Sequence, residues 1–194
     1  MLEPAFSLES VPQRIAVQGA SGSGKTTLAK EVATTLGIPR LELDSIYHLE
    51  NWTPLDEDSF RETVRSFASG PQWVTDGNYR VVRDLVWDRA DLVVIIHLAK
   101  WRVMSRIIRR TIRRAVHQEE LWNGNREGLR NLASLKPERN IVLWSWNTHH
   151  KYKEIVPNEA REQAKSAQVI VLRSPRDVAN FVEQLKILKS DVDV

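Results

Sequence analysis

The sequence predicts an α/β fold of three layers, with a five-stranded parallel sheet packed between helices and a short lid. Three observations carry this. Five short apolar runs alternate with segments of helical periodicity across 194 residues, and such alternation builds parallel βαβ units. One run, Asp91-Leu92-Val93-Val94-Ile95-Ile96-His97-Leu98, is nearly continuous in apolar residues, as a strand covered on both faces must be. Between the first run and the first helix stands Gly19-Ala20-Ser21-Gly22-Ser23-Gly24-Lys25-Thr26, which fits the phosphate-loop pattern G-x-x-x-x-G-K-[ST] in its required strand–loop–helix setting. The expected fold is therefore that of a P-loop NTPase.

Taken in order, residues 1–12 have no periodicity and are expected to form a loose arm. Residues 14–18 form the first strand. The helix after the loop, residues 27–36, stops at Gly37 with Pro39 just beyond. Residues 40–43 alternate and read as the second strand, delivering Asp44 to its carboxyl end. An aromatic and polar connection, 45–55, leads to a helix over 56–69 that buries Phe60, Val64 and Phe67 before Gly70-Pro71 ends it.

Residues 72–75 form the third strand, ending in Asp76-Gly77, and a helix spans 79–87. The apolar run 91–98 is the fourth strand, and a long helix over 101–117 follows. Residues 118–140 are too polar for core and too long for a tight turn, the pattern of a lid. A helix over 141–165, broken near Pro157, precedes the fifth strand, 169–172. Ser174-Pro175-Arg176-Asp177 reads as a cap, a first-turn proline and an acidic third position. The closing helix is expected to bury Val178, Val182, Leu185 and Leu188.

The length suits one domain over residues 1–194. Hydrophobic content of 42% and charged content of 27% are ordinary for a soluble protein. There is no cysteine, which excludes disulfides and thiolate metal sites. No apolar run approaches the ~18 residues of a membrane span, and the first residues do not resemble a secretion signal, so a cytoplasmic location is expected. A net charge of +3 does not announce a nucleic-acid partner. The distribution says more: no acidic residue lies between Asp91 and Glu119, and seven of the 28 basic residues fall between Lys100 and Arg114.

The loop residues Gly19, Ser21, Gly22, Ser23, Gly24, Lys25, Thr26 and Thr27 are expected to bind ATP. Backbone N–H groups and the helix start face the phosphates, and Lys25 reaches the outer ones. Thr26 and Asp76 are expected to hold Mg²⁺, the other reading of Asp76 being a helix cap. Asp44 is placed to orient an acceptor hydroxyl or take its proton, the other reading being a turn cap. On the helix 101–117, Met104, Ile107, Ile108, Thr111, Ile112 and Ala115 share one sector, while Arg102, Arg106, Arg109, Arg110, Arg113 and Arg114 take the other side. Arginine offers phosphate a rigid bidentate fork, whereas solubility alone would accept lysine equally. Arg126, Arg130 and Arg139 could be carried by the lid. Trp144 and Trp146 read as packing residues and His97 as a satisfied core histidine. His149 and His150 are adjacent and diverge, which argues against a paired metal site.

On these residues the chain resembles the adenylate-kinase-related small P-loop kinases, and within them the bacterial group labelled adenylate kinase or DNA topology modulation protein. Asp76-Gly77-Asn78-Tyr79-Arg80 is similar to the family's Asp-Gly-Phe-Pro-Arg stretch, departing at Asn78 and Tyr79. The resemblance implies that Asp76 serves Mg²⁺ and that Arg80 grips an acceptor phosphate. It also implies that Arg106 and Arg110, four apart at the lid entrance, lie one over the adenine and one on the phosphates. The segments Leu121-Trp122-Asn123-Gly124-Asn125-Arg126-Glu127 and Trp144-x-Trp146-x-x-His149-His150-Lys151-Tyr152 look like that group's signature. The region 46–55 does not reproduce the adenosine monophosphate site.

The resulting expectation is an ATP- and Mg²⁺-dependent kinase acting on a small molecule, with a nucleoside monophosphate or nucleoside as acceptor, in a monomer or homodimer. Lys25, Asp44, Arg106, Arg110 and Arg126 are the expected catalytic residues, and Asp44, Tyr79 and Arg80 the acceptor side. A nucleic-acid-binding P-loop NTPase or polynucleotide kinase, and an ATP-binding switch, stay open as alternatives. A GTPase is excluded, since neither Asn-Lys-x-Asp nor Asp-x-x-Gly occurs. Shikimate-kinase-like chemistry is set aside because no two glycines are adjacent.

Overall fold

The computed structural model describes residues 6–126 and 140–192. Its five strands are β1 (Arg14–Gly19), β2 (Arg40–Glu42), β3 (Trp73–Asp76), β4 (Leu92–Ile96) and β5 (Gln168–Leu172). They form one sheet in the order β2-β3-β1-β4-β5, and every neighbouring pair is parallel. The α/β fold with a five-stranded parallel sheet is thus as the alternation predicted. The chain leaves β1 for one side of the sheet and later crosses to the other, so the topological switch lies at the carboxyl end of β1. Register brings Val17 and Glu42 level with Asp76, and Gly19 level with Ile96. The ends of four strands meet there.

The helices are α1 (Lys25–Leu36), α2 (Leu43–Tyr47), α3 (Glu57–Ala68), α4 (Arg83–Trp87), α5 (Lys100–His117), α6 (Ile141–Thr148), α7 (Ile155–Gln163) and α8 (Pro175–Val192). α1 packs on α8, while α3 and α7 both pack on α4. Every residue of β4 is buried, as its uninterrupted apolar run requires. Trp73, Trp87, Phe60 and Phe181 are the largest side chains sealed in the core, and Trp73 donates Nε1–H to the Ala68 carbonyl at 3.1 Å. Predicted stops and caps are present. Gly37 ends α1 in the left-handed region, Asp56 accepts the Ser59 N–H at 2.9 Å, and Ser174 and Asp177 exchange side-chain-to-backbone bonds of 3.1 and 3.0 Å.

Several expectations are corrected. The segment from Phe6 is not loose: Phe6 packs on Phe181 and the Leu8 N–H donates to Gln184 Oε1. Leu43 leaves the sheet to begin α2, so Asp44 sits in a helix first turn and not on a strand end. Tyr79 precedes a 3-10 turn, Arg80–Val82, and only residues from Arg83 are α-helical. The helix expected over 141–165 is two helices joined by a 3-10 turn at His149–Tyr152. Pro157 is not the break. It lies in the first turn of α7, where a backbone N–H would have no partner to lose. On α5 the buried face is Val103, Met104, Ile107, Thr111 and Ala115, with Ile108 and Ile112 exposed. On α8 Phe181 joins Val182 and Leu185 in the core, and Val178 and Leu188 are only half-buried.

Candidate active site

The loop after β1 reaches α1 through Gly24, whose φ of 101° lies in the left-handed region. α1 starts with no side-chain cap and no acidic residue in its first turn, so its first N–H groups and dipole are left for an anion. At Gly22 (φ 77°) a Cβ would come within 2.4 Å of Ile107 Cγ1. Only glycine lets α5 settle on the loop. That seating places Arg106 Nη1 3.3 Å from the Ser23 carbonyl and Arg110 Nη2 3.2 Å from Ser21 Oγ. From α6, the buried Ser145 donates its hydroxyl to the Ser21 carbonyl at 3.1 Å.

On the other flank Asp76 is 2% exposed and hydrogen-bonds Thr26. Burial pushes its carboxyl above the usual range, with Glu42 adding to the rise, while the Thr26 bond and the charges of Arg40 and Lys25 act against it. Arg40 bridges the two carboxylates, with Nη1 2.8 Å from Asp76 Oδ1 and Nη2 3.1 Å from Glu42 Oε2. Asp76 therefore caps no helix here; its partners are the loop threonine and a strand arginine. One residue past Gly77, Asn78 clamps the loop's start: Nδ2 donates to the Gly19 carbonyl at 2.7 Å and Oδ1 accepts the Gly19 N–H at 3.2 Å. Lys25 is half-buried and Thr27 exposed.

Asp44 lies beyond Glu42, in α2. The Tyr79 hydroxyl donates to Asp44 Oδ1 at 2.7 Å and sits 3.3 Å from His48 Nε2. Burial first, then the charge of Asp44, drive the Tyr79 phenol far up, so it stays a donor. Burial pushes His48 below its ordinary value, against the pull of Asp44. Tyr79 is wedged against Tyr47 and Phe60, which fixes its hydroxyl. Arg80, next in the chain, is exposed and forms no ion pair among the described residues.

The start of the expected lid is bolted to this wall. Asn123 Nδ2 donates to the His48 carbonyl at 2.6 Å. Asn125, 3% exposed, donates to the Leu49 carbonyl at 2.8 Å and accepts the Trp52 N–H at 2.7 Å. Trp122 stacks on His48 with ring centroids 6.0 Å apart. Asn51, Trp52 and Asn123 all hold positive φ near 57°, being 58°, 59° and 55°, a strained geometry that the amide bonds maintain. Arg126 is therefore held beside the acceptor wall: it is 3.7 Å from Glu120, and its carbonyl accepts Trp52 Nε1–H at 3.3 Å. Arg130 and Arg139, with the rest of the lid up to residue 139, lie outside the described residues.

Sequence reasoning missed Arg40, Glu42, Asn78, Ser145 and Asn125. Two signals were present: Arg40 and Glu42 share one face of a strand by their spacing of two, and Asn78 is where the chain departs from the adenylate kinase pattern. Three aromatic expectations fail. Trp144 and Trp146 are half-exposed rather than packed, and Lys100 Nζ lies 3.5 Å over the Trp146 ring. His97 follows β4, its Nδ1 is buried without a hydrogen bond among the described residues, and its ring lies 4.6 Å from that of His149.

No helix of the described residues is long and apolar enough to cross a membrane. Neither a family model nor a curated protein matches the sequence. Solved structures do. Shikimate kinase from Acinetobacter baumannii is 17% identical over 93% of each chain with a TM-score of 0.52. A gluconokinase from Sinorhizobium meliloti is 16% identical over 95% of each chain with a TM-score of 0.49. Shikimate kinase from Bacteroides thetaiotaomicron is 16% identical over 92% of this chain and 99% of that chain, with a TM-score of 0.47. The likeness is one of fold, and none of these three is an adenylate kinase.

Proposed function

We propose that this chain is an ATP- and Mg²⁺-dependent kinase that transfers a γ-phosphoryl group to a hydroxyl of a small molecule. One observation carries the reading: Arg106 and Arg110 of α5 meet the phosphate loop on one flank while Thr26 and Asp76 meet on the other. Transfer of a phosphoryl group draws its rate mainly from positioning and from positive charge around the equatorial oxygens.

The loop suits a polyphosphate: it offers an uncapped helix start and a glycine lining, with Lys25 at the helix start. Thr26 and Asp76, a hydroxyl and a carboxylate in contact, form a hard oxygen pair suited to Mg²⁺ and its waters. When bound, Mg²⁺ would bridge the outer phosphates and neutralise part of their charge. Lys25, Arg106 and Arg110 would hold the charge that develops on the transferring group. Asp44, held at Oδ1 by Tyr79, keeps Oδ2 for the acceptor hydroxyl. It takes that proton as the hydroxyl oxygen bonds to the γ-phosphorus and the bond to the bridging oxygen breaks, releasing ADP. Arg126 and the Trp122 segment would border the acceptor.

Calorimetry with ATP and magnesium, followed by an ADP-release screen over nucleosides, nucleotides and sugars, tests the proposal. Magnesium-dependent ATP uptake and acceptor-dependent ADP release are expected. Absence of magnesium-dependent uptake would overturn it.

A further inference from the structure

A narrow cavity runs between the ends of β1 and β3 and the helix α4, lined by Gln18, Leu43, Thr75, Tyr79 and Arg83 among others. Leu43 and Tyr79 tie it directly to the wall that carries Asp44. Gln18 is 5% exposed, and its Oε1 has no hydrogen-bond partner among the described residues. Arg83 Nε, on the same cavity, is buried and also lacks one. The rest of that guanidinium is engaged, bonded to Glu159 and lying over the Trp87 ring. Buried polar atoms are almost always satisfied in native proteins, by protein, water or ligand. Here one orphaned acceptor and one orphaned donor share a cavity. An alcohol hydroxyl, which both donates and accepts, matches the pair. A phosphate or carboxylate oxygen would suit Arg83 Nε and be repelled by Gln18 Oε1.

Charge on the surrounding wall points the same way. Arg40 is bonded to Asp76 and Glu42, Arg61 to Asp84, Arg83 to Glu159, and Arg126 lies 3.7 Å from Glu120. Asp44 adds a carboxylate whose bonded neighbour is a neutral phenol. Apart from Arg80, exposed beyond Tyr79, the arginines on this side of the loop are already matched by carboxylates. An anionic acceptor would approach Asp44 with no buried cation left to receive it. His48, Trp52 and Trp122 supply flat apolar faces beside it.

Resting on the kinase reading, we infer that the phosphoryl acceptor is an uncharged polyhydroxylated molecule, one hydroxyl of which is seated between Gln18 Oε1 and Arg83 Nε. This departs from the nucleoside monophosphate that the family resemblance implies, and it leaves Arg80 without a role in gripping an acceptor phosphate.

The test uses the full-length protein with γ-labelled ATP. The acceptors are matched pairs (adenosine and adenosine monophosphate, cytidine and cytidine monophosphate, ribose and ribose 5-phosphate), and then a deproteinised cell extract. Labelled product is sorted by charge on anion exchange. A product whose only anionic group is the new phosphate ester is expected. A product carrying a second phosphate or a carboxylate overturns the inference and leaves the kinase reading standing. No labelled product from either source, with ATP and magnesium still bound, overturns both. With the acceptor so found, Gln18→Leu is expected to lower kcat/KM for it at least tenfold at unchanged ATP affinity and melting temperature. Gln18→Glu, which keeps an acceptor oxygen, is expected to recover part of the loss. An unchanged kcat/KM in Gln18→Leu overturns the seat.

Discussion

Arg40 Nη1 lies 2.8 Å from Asp76 Oδ1, joining an arginine at the start of an edge strand to an almost fully buried carboxylate on the next. Removing one partner of such a pair leaves the other charge uncompensated. Arg40→Met should therefore destabilise the fold by about 3 kcal/mol, read from urea unfolding at pH 7. Arg40→Met combined with Asp76→Asn should recover most of that loss. Because burial raises the Asp76 carboxyl in the folded state, this group favours folding at low pH and that contribution is lost as pH rises through its folded value. Asp76→Asn should flatten that part of the stability–pH curve.

The contact between Gly22 and Ile107 determines whether α5 can reach the loop. Gly22→Ala should destabilise by at least ~2 kcal/mol, since it combines positive φ with overpacking. Ile107→Ala in the same chain removes the atoms that clash, so the double change should be less damaging than the sum of the two. A double-mutant cycle in denaturant measures this coupling directly.

Charge around the transferring group is supplied from two elements, α1 and α5. Lys25→Ala and Arg110→Ala should each lose ~2–4 kcal/mol of transition-state stabilisation in ADP-release kinetics with the acceptor present. Survival of turnover in both variants would reject the assignment.

The bond from Tyr79 to Asp44 separates orientation from proton transfer. Asp44→Asn should lower kcat by roughly 10²–10⁴ with ATP affinity unchanged. Tyr79→Phe keeps the carboxylate and loses only its anchor, so its loss in kcat should be smaller, on the order of tenfold. Equal losses in the two variants would contradict this division of roles.

His97 is pushed from 6.5 down to about 4, by burial first and then by the neighbouring charges of His149, Arg173 and Lys153. Between those values the unfolded chain binds the proton more readily, so folding stability should fall as pH drops from 6.5 towards 4. Since the ring is only partly buried, the screened effect is on the order of 1 kcal/mol. Chemical denaturation of His97→Asn over this pH range should show a shallower slope than the parent chain.

Local spacing sufficed for the phosphate loop and its flanking strand and helix, for the five strands, and for the caps at Gly37, Asp56 and Ser174. Each of these is written within a few residues, in hydrophobic period, φ requirement or side-chain reach. The same locality identified Asp76, Asp44, Arg106 and Arg110 as residues at strand ends or on one helix face. It misjudged α5, because period alone defines an apolar sector and not which edge of that sector a neighbour covers. Ile108 and Ile112 satisfy the period and stand in solvent, whereas Val103 is buried. Arg40 on Asp76, Asn78 on Gly19, Ser145 on Ser21 and Asn125 on Trp52 join residues 36 to 124 positions apart. Their partners are chosen by strand order and helix docking, where hydrogen-bond geometry matters to tenths of an ångström and sequence spacing carries no such information. The sequence by itself determined the sheet, the loop and the charge on α5. The tertiary structure alone decided which arginines face the loop, which are matched by carboxylates, and that Gln18 and Arg83 face one cavity with unmet hydrogen bonds.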